Sequence, residues 1–169
     1  MKKVSYITVA LLCTSTNVMA SGYIGFGAGS IDIGVDGFDD PAGFELSIGA
    51  EVNNNLSLEA SFIDFGESSD GIVPQWRVTL NTLAFGALAK AQVNDDFDVF
   101  FKVGLHMWDG ELKEDGFGLL EKNDGTDIFY GVGATMKVNQ KVSFGARYNS
   151  YDMDGDDVTI FSLNAQLSF

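Results

Sequence analysis

His106 is the only histidine of the chain. A histidine does acid–base or nucleophilic work when a nucleophile and an orienting acid stand beside it. Its chain neighbours are Trp108 and Asp109, and nothing in the spacing ties it to Ser68 or Ser69. It therefore reads as a structural histidine, and no catalytic residue is assigned. The run DMDGDD (152–157) places Asp152, Asp154 and Asp156 at alternate positions, as hard oxygen ligands for calcium would be. The EF-hand pattern needs Gly at its sixth position and Glu at its twelfth, and this chain has Asp157 and Leu163 there. A solvated acidic hairpin is the expectation, with no metal and no cofactor. GFGAG (25–29) and GVG (131–133) neither complete a phosphate-loop spacing nor open a helix.

A second set of residues is isolated charges in otherwise small, polar surroundings: Glu45, Glu51, Glu59, Arg77, Lys90, Lys102 and Arg147. The segments that carry them alternate strictly. GFELSIGAEV (43–52) sets Phe44, Leu46, Ile48, Ala50 and Val52 against Gly43, Glu45, Ser47, Gly49 and Glu51. LSLEASF (56–62), DVFFKVGLHMW (98–108), IFYGVGATMKV (128–138) and VSFGARYNSY (142–151) behave likewise. GYIGFGAGS (22–30) and DVTIFSLNAQLSF (157–169) complete the pattern. WRVTLNTLAFGALAKAQV (76–93) is one long strand of ambiguous phase, reconciled by a bulge near Asn81. That makes eight strands and no sustained helical period.

One face of these strands is apolar, and the other is Gly, Ser, Asn and Thr with a few charges. A soluble sandwich would carry a densely charged outer face. The inverse arrangement suits a narrow barrel with a polar interior and lipid outside. Strands near ten residues match a tilted crossing of a bilayer. An eight-stranded barrel is just wide enough to be filled by side chains. The charges named above, with His106, are therefore expected to pair as a polar network in the lumen. Aromatics near strand ends, Tyr23, Trp76, Phe97, Trp108, Tyr130 and Tyr148, are expected to form interfacial girdles.

The links alternate short (53–55, 94–97, 139–141) and long (31–42, 65–75, 109–126, 152–156). Short turns on one side and long loops on the other characterise outer-membrane barrels. The chain has 24 acidic and 10 basic residues, a formal net charge of −14, and most of the acids fall on the long links. Such a balance excludes nucleic acid, whose phosphates need an excess of Lys and Arg. An apolar content of 46% excludes a disordered acidic tail. Lys2 and Lys3, an apolar run at 4–13 and small Ala20 form a secretory signal, so 1–20 is expected to be removed and 21–169 to form one barrel domain. Cys13, the only cysteine, lies in that leader.

KVGLHMWD (102–109), DGTDIFYGVGA (124–134), VSFGARYNSYD (142–152) and the closing FSLNAQLSF resemble the OmpA-like transmembrane-domain family of Gram-negative outer membranes. The resemblance implies an all-β, eight-stranded antiparallel up-and-down transmembrane barrel. It resembles the barrel-only relatives, so a wall-anchoring role is not expected to carry over. It also implies assembly by the barrel-assembly machinery, with Phe161, Leu163, Ala165, Leu167 and Phe169 as the recognised signal. The expected function is a monomeric, non-enzymatic, structural or surface-interactive protein among outer-membrane lipid and lipopolysaccharide. A narrow porin-like channel, a lipid-modifying enzyme acting through His106 and a soluble lipocalin-like barrel are the alternatives.

Overall fold

The computed structural model describes residues 21–34, 39–69, 76–114 and 118–169. The expected leader, 1–20, lies outside the described residues, as do Asp36, Asp70 and Asp115 of the acidic links. The described residues form eight strands: β1 (Gly22–Asp32), β2 (Ala42–Asn53), β3 (Leu56–Ser69), β4 (Trp76–Asn94), β5 (Phe97–Glu114), β6 (Gly118–Lys137), β7 (Val142–Met153) and β8 (Asp156–Ser168). Each runs antiparallel to the next, and β8 closes on β1 from Tyr23↔Ser168 to Asp32↔Thr159. Gly22 and Phe169 finish the seam, each N–H donating to the other's carbonyl at 3.0 and 2.9 Å. Closure leaves no sheet edge around the belt, which a strand structure in hydrocarbon requires.

The outward side chains are the apolar half of each alternation. Leu163 is 66% exposed, and Leu105 and Ile48 are each 57% exposed. On β5 the outward set runs Val99, Phe101, Val103, Leu105, Met107 before Asp109 ends it. A continuous belt of this kind is stable against lipid and not against water.

The inward side chains form two tiers. The lower holds Glu45, Glu59, Lys102 and Arg147 among Ser57, Ser61, Ser162 and Asn164, all buried. The upper is apolar, with Ile31, Ile63, Phe65, Phe129, Tyr151 and Ile160 nearly without exposure. Among the described residues, the hydrophobic core thus lies inside the barrel, toward the long hairpins.

Three features differ from the expectations. β4 pairs with β5 without interruption from Trp76↔Glu114 to Gln92↔Asp98, so no bulge falls near Asn81. Val78 and Leu80 face inward, because the inner face is itself apolar at that height. The irregularity lies across the pair on β3, between Asp64 and Glu67. There Gly66 takes φ 75° and its N–H donates to Asp64 Oδ1 at 2.8 Å. Secondly, most of 109–126 is strand, paired through Glu114↔Gly118. Its apolar alternation is weak because this part of the hairpin stands beyond the belt. Thirdly, 152–156 is no long loop. Met153 pairs with Asp156 across a two-residue turn, with Asp154 at φ 59° and Gly155 at φ 95°.

Strands β3 to β6 overtop the rest. β6 joins β7 only from Phe129↔Tyr151 downward, so Gly118–Ile128 is paired on its β5 side alone among the described residues. The overhang is roughly 35 Å along the strand at the usual rise per residue.

Candidate functional site: the ionic lumen

Alternation places Glu45 on β2, Glu59 on β3, Lys102 on β5 and Arg147 on β7 at one height inside the ring. Glu59 is the common partner. Arg147 grips it with both nitrogens, Nη1 to Oε1 at 2.9 Å and Nη2 to Oε2 at 3.0 Å. Lys102 Nζ lies 2.7 Å from Glu59 Oε1. Glu45 Oε1 receives Arg147 at 3.1 Å and Lys102 at 3.5 Å. Tyr23 donates its hydroxyl to Glu59 Oε2 at 2.7 Å. Lys102 also sits 5.0 Å from the Phe129 ring centre and Arg147 5.6 Å from that of Phe100. Two carboxylates meet two cations, so the layer carries no net charge, which is what burial demands. Among the described residues, Glu45 Oε2 and Ser57 Oγ find no hydrogen-bond partner.

The walls beside the cations are small, since Gly131 pairs with Lys102 and Gly133 with Arg147. A Cβ at Gly131 would lie 2.0 Å from Asn149 Oδ1, and one at Gly133 would lie 2.4 Å from the Phe100 ring. Glycine at these strand positions leaves the lumen to the long side chains of other strands.

His106 stands one level up, fully buried. Its Nε2 donates to the Asp152 carbonyl at 2.8 Å, and its Nδ1 lies 2.9 Å from Thr82 Oγ1. The ring meets Phe129 and Tyr151 edge-on, and those two stack at 5.2 Å. Among the described residues, no carboxylate bonds to the ring. Asp127 instead accepts from Trp108 Nε1 at 2.7 Å, and Ser68 Oγ donates to the Asp39 carbonyl.

At the short-turn mouth, Lys90 pairs with Glu51 at 2.6 Å and Lys137 with Asp98 at 3.0 Å. At the opposite end, Lys122 lies 3.4 Å from Asp109 and 3.7 Å from Glu111. A hydrogen bond from Lys113 beside it holds the exposed Glu111 carboxyl below the usual carboxylate range.

The sequence matches the family described as "Outer membrane protein beta-barrel domain" over residues 6–169. The chain belongs to that family. It is an eight-stranded barrel of the bacterial outer membrane. No curated protein matches it in sequence. Solved structures match in fold. Ail, the attachment invasion locus protein of Yersinia pestis, solved with the heparin analogue sucrose octasulfate, is 19% identical with a TM-score of 0.60. The N-terminal β-barrel domain of Pseudomonas aeruginosa OprF is 14% identical with a TM-score of 0.64. Neisserial surface protein A is 15% identical with a TM-score of 0.61. Each alignment covers 89% of this chain and 97% of the other.

Of the eight residues expected in the lumen of this outer-membrane barrel, Glu45, Glu59, Lys102 and Arg147 meet in one cluster. Glu51 and Lys90 form a separate pair at the short-turn mouth, and His106 joins the aromatic tier. Arg77 is a correction. It lies on the outward parity of β4, beyond the belt, 3.7 Å from Glu67 with both side chains well exposed. Counting back from Leu83 would have placed it outside, had β4 been read as one uninterrupted phase. Two of the girdle aromatics are also corrected. Tyr23 and Trp108 are 6% and 7% exposed and point inward, whereas Tyr130 and Tyr148 are near half exposed. Phe161, Leu163, Ala165, Leu167 and Phe169 all lie on the outer face. The sequence reading missed the apolar tier. Its signal was the parity of Ile31, Ile33, Ile63 and Phe65, which continue the inner faces of β1 and β3 through stretches taken for loops.

Proposed function

We propose that this barrel is a closed, non-catalytic surface protein of the outer membrane. The neutral four-charge layer across the lumen carries the reading. Glu59, Lys102, Arg147 and Glu45 occupy the section an ion would cross, and the aromatic tier lies directly above them. A solute would have to break buried ion pairs and displace packed rings in turn. Among the described residues no carboxylate bonds to the His106 ring, and the Thr82 hydroxyl beside it donates to the Met107 carbonyl, which supports a role without catalysis.

The surface part of the reading rests on the overhang of β3 to β6. Its β6 edge offers backbone donors and acceptors to an extended segment of another chain. The acidic character of this end disfavours anionic sugars such as the one bound to Ail. Removal of the leader after Ala20, delivery through the barrel-assembly machinery and a monomeric state among lipopolysaccharide belong to the same proposal.

Planar-bilayer recording of the refolded protein tests closure. The expected trace has no steady conductance. A stable open level in most insertions would overturn the reading in favour of a narrow pore.

A further inference from the structure

Above the aromatic tier the interior opens toward the long-hairpin end as a cavity of about 420 Å³. Its lower wall is apolar, formed by Ile33, Leu80, Trp108, Met153 and Val158. Glu121, Asp154 and Asp156 stand above them on the same cavity. The lysines of this end do not neutralise these acids. Both lie instead on Glu111, a fourth acid of the cavity wall, Lys113 at 2.8 Å and Lys122 at 3.7 Å, and Lys122 also reaches Asp109. Among the described residues, Glu121, Asp154 and Asp156 make no ion pair; Glu121 accepts a hydrogen bond from Asn123 at 3.1 Å.

Two glycines keep room around the indole and around Leu80. A Cβ at Gly125 would lie 2.8 Å from the Trp108 ring, and one at Gly110 would lie 2.9 Å from Leu80 Cδ2. The hydrogen bond from Trp108 to Asp127 fixes that ring in place. The result is a cup at the small end of the size range of ligand pockets, apolar at the bottom and acidic at the lip.

We propose that this cup binds small amphipathic organic cations, an apolar or aromatic body ending in an ammonium or guanidinium group. The body displaces water from the apolar floor. The cation comes to rest at the height of Glu121 and Asp156, whose carboxylates stand at the mouth of the cavity. Trp108 adds a π face that favours a cation over a neutral group. Anions are repelled by the same lip. The assignment goes beyond the closed-lumen reading and stands or falls independently of it.

The test uses the whole barrel in phosphatidylcholine nanodiscs with Trp76→Phe, which leaves Trp108 as the only tryptophan. Trp108 emission is titrated with 2-phenylethylammonium, and with 2-phenylethanol and phenylacetate as neutral and anionic forms of the same body. The cation should give a saturable change that weakens with added salt. The alcohol should bind on the order of tenfold more weakly, the scale of one charge-assisted hydrogen bond, and phenylacetate should not bind. Glu121→Gln with Asp156→Asn should bring the cation down to the alcohol's affinity. Gly110→Leu should abolish both. The double amide variant preserves side-chain shape and carries the test even where Gly110→Leu does not refold, as judged by the heat-dependent gel shift. Equal affinity for cation and alcohol, an undiminished cation affinity in the double amide variant, or a response that never saturates would each overturn the proposal.

Discussion

Glu59 holds Arg147, Lys102 and the Tyr23 hydroxyl at once, so its charge organises the lower lumen. Glu59→Gln leaves two buried cations facing Glu45 alone. Unpairing of a buried ion costs about 3–5 kcal/mol, and urea unfolding of the refolded barrel should report a loss of that order. Adding Lys102→Met restores neutrality between Glu45 and Arg147. The double variant should therefore recover part of the loss, and strict additivity of the two changes would argue against a coupled layer. His106 belongs to a different tier and makes a different prediction. His106→Ala should lower stability by the removal of a packed ring while the lipid A of the host strain, read by mass spectrometry, stays unchanged. Selective disappearance of one lipid A modification would make His106 a catalytic residue. At this scale the sequence showed which charges face inward on β2, β3, β5 and β7, since parity alone decides that. It could not show that Glu45, Glu59, Lys102 and Arg147 share one height. Height depends on the stagger of strands around the ring, and parity carries no information about it.

The irregular point of the sheet is on β3. Gly66 has positive φ, and a Cβ there would lie 2.6 Å from the Ala42 carbonyl oxygen. Gly66→Ala meets both a disfavoured backbone conformation and a backbone clash, and strain of this kind costs about 1–3 kcal/mol. A lower urea midpoint with an unchanged slope would show it; an unchanged midpoint would mean that β2 and β3 shift freely at this height. The elements themselves were legible wherever the two faces differ chemically. From Val99 to Met107 an apolar outer row against Lys102, Gly104 and His106 leaves no choice of assignment. The upper half of β5 and β6 was not legible as strand. Water bathes much of that hairpin, so composition no longer separates its faces and only backbone pairing through Glu114↔Gly118 defines it. β4 illustrates the converse error. Val78 and Leu80 looked like an outward row because they are apolar, and they are inward because the lumen is apolar beside them.

The whole molecule is a closed ring with an apolar outside, and its handling follows from that. Extraction should need detergent, and the unheated folded form should migrate differently from the boiled one on a denaturing gel. Recovery of the protein in the aqueous fraction of a cell lysate would contradict the lipid-facing belt. Removing Phe169 takes away two hydrogen bonds to Gly22 at the seam together with an outward aromatic of β8. Assembly into the outer membrane should drop severalfold, more than for any loop substitution, and equal yields would show that the seam closes without it. Read from sequence alone, the chain determined its strand number, its antiparallel order and which face meets lipid. All three follow from a two-residue period and from chemistry that must differ between hydrocarbon and interior. Only the tertiary structure decided the contents of that interior: an ion-paired tier below, an aromatic tier above and an acid-lipped cup over both. Those depend on which strands stand at the same height across the ring, a relation between residues as far apart as Glu45 and Arg147 that no local pattern encodes.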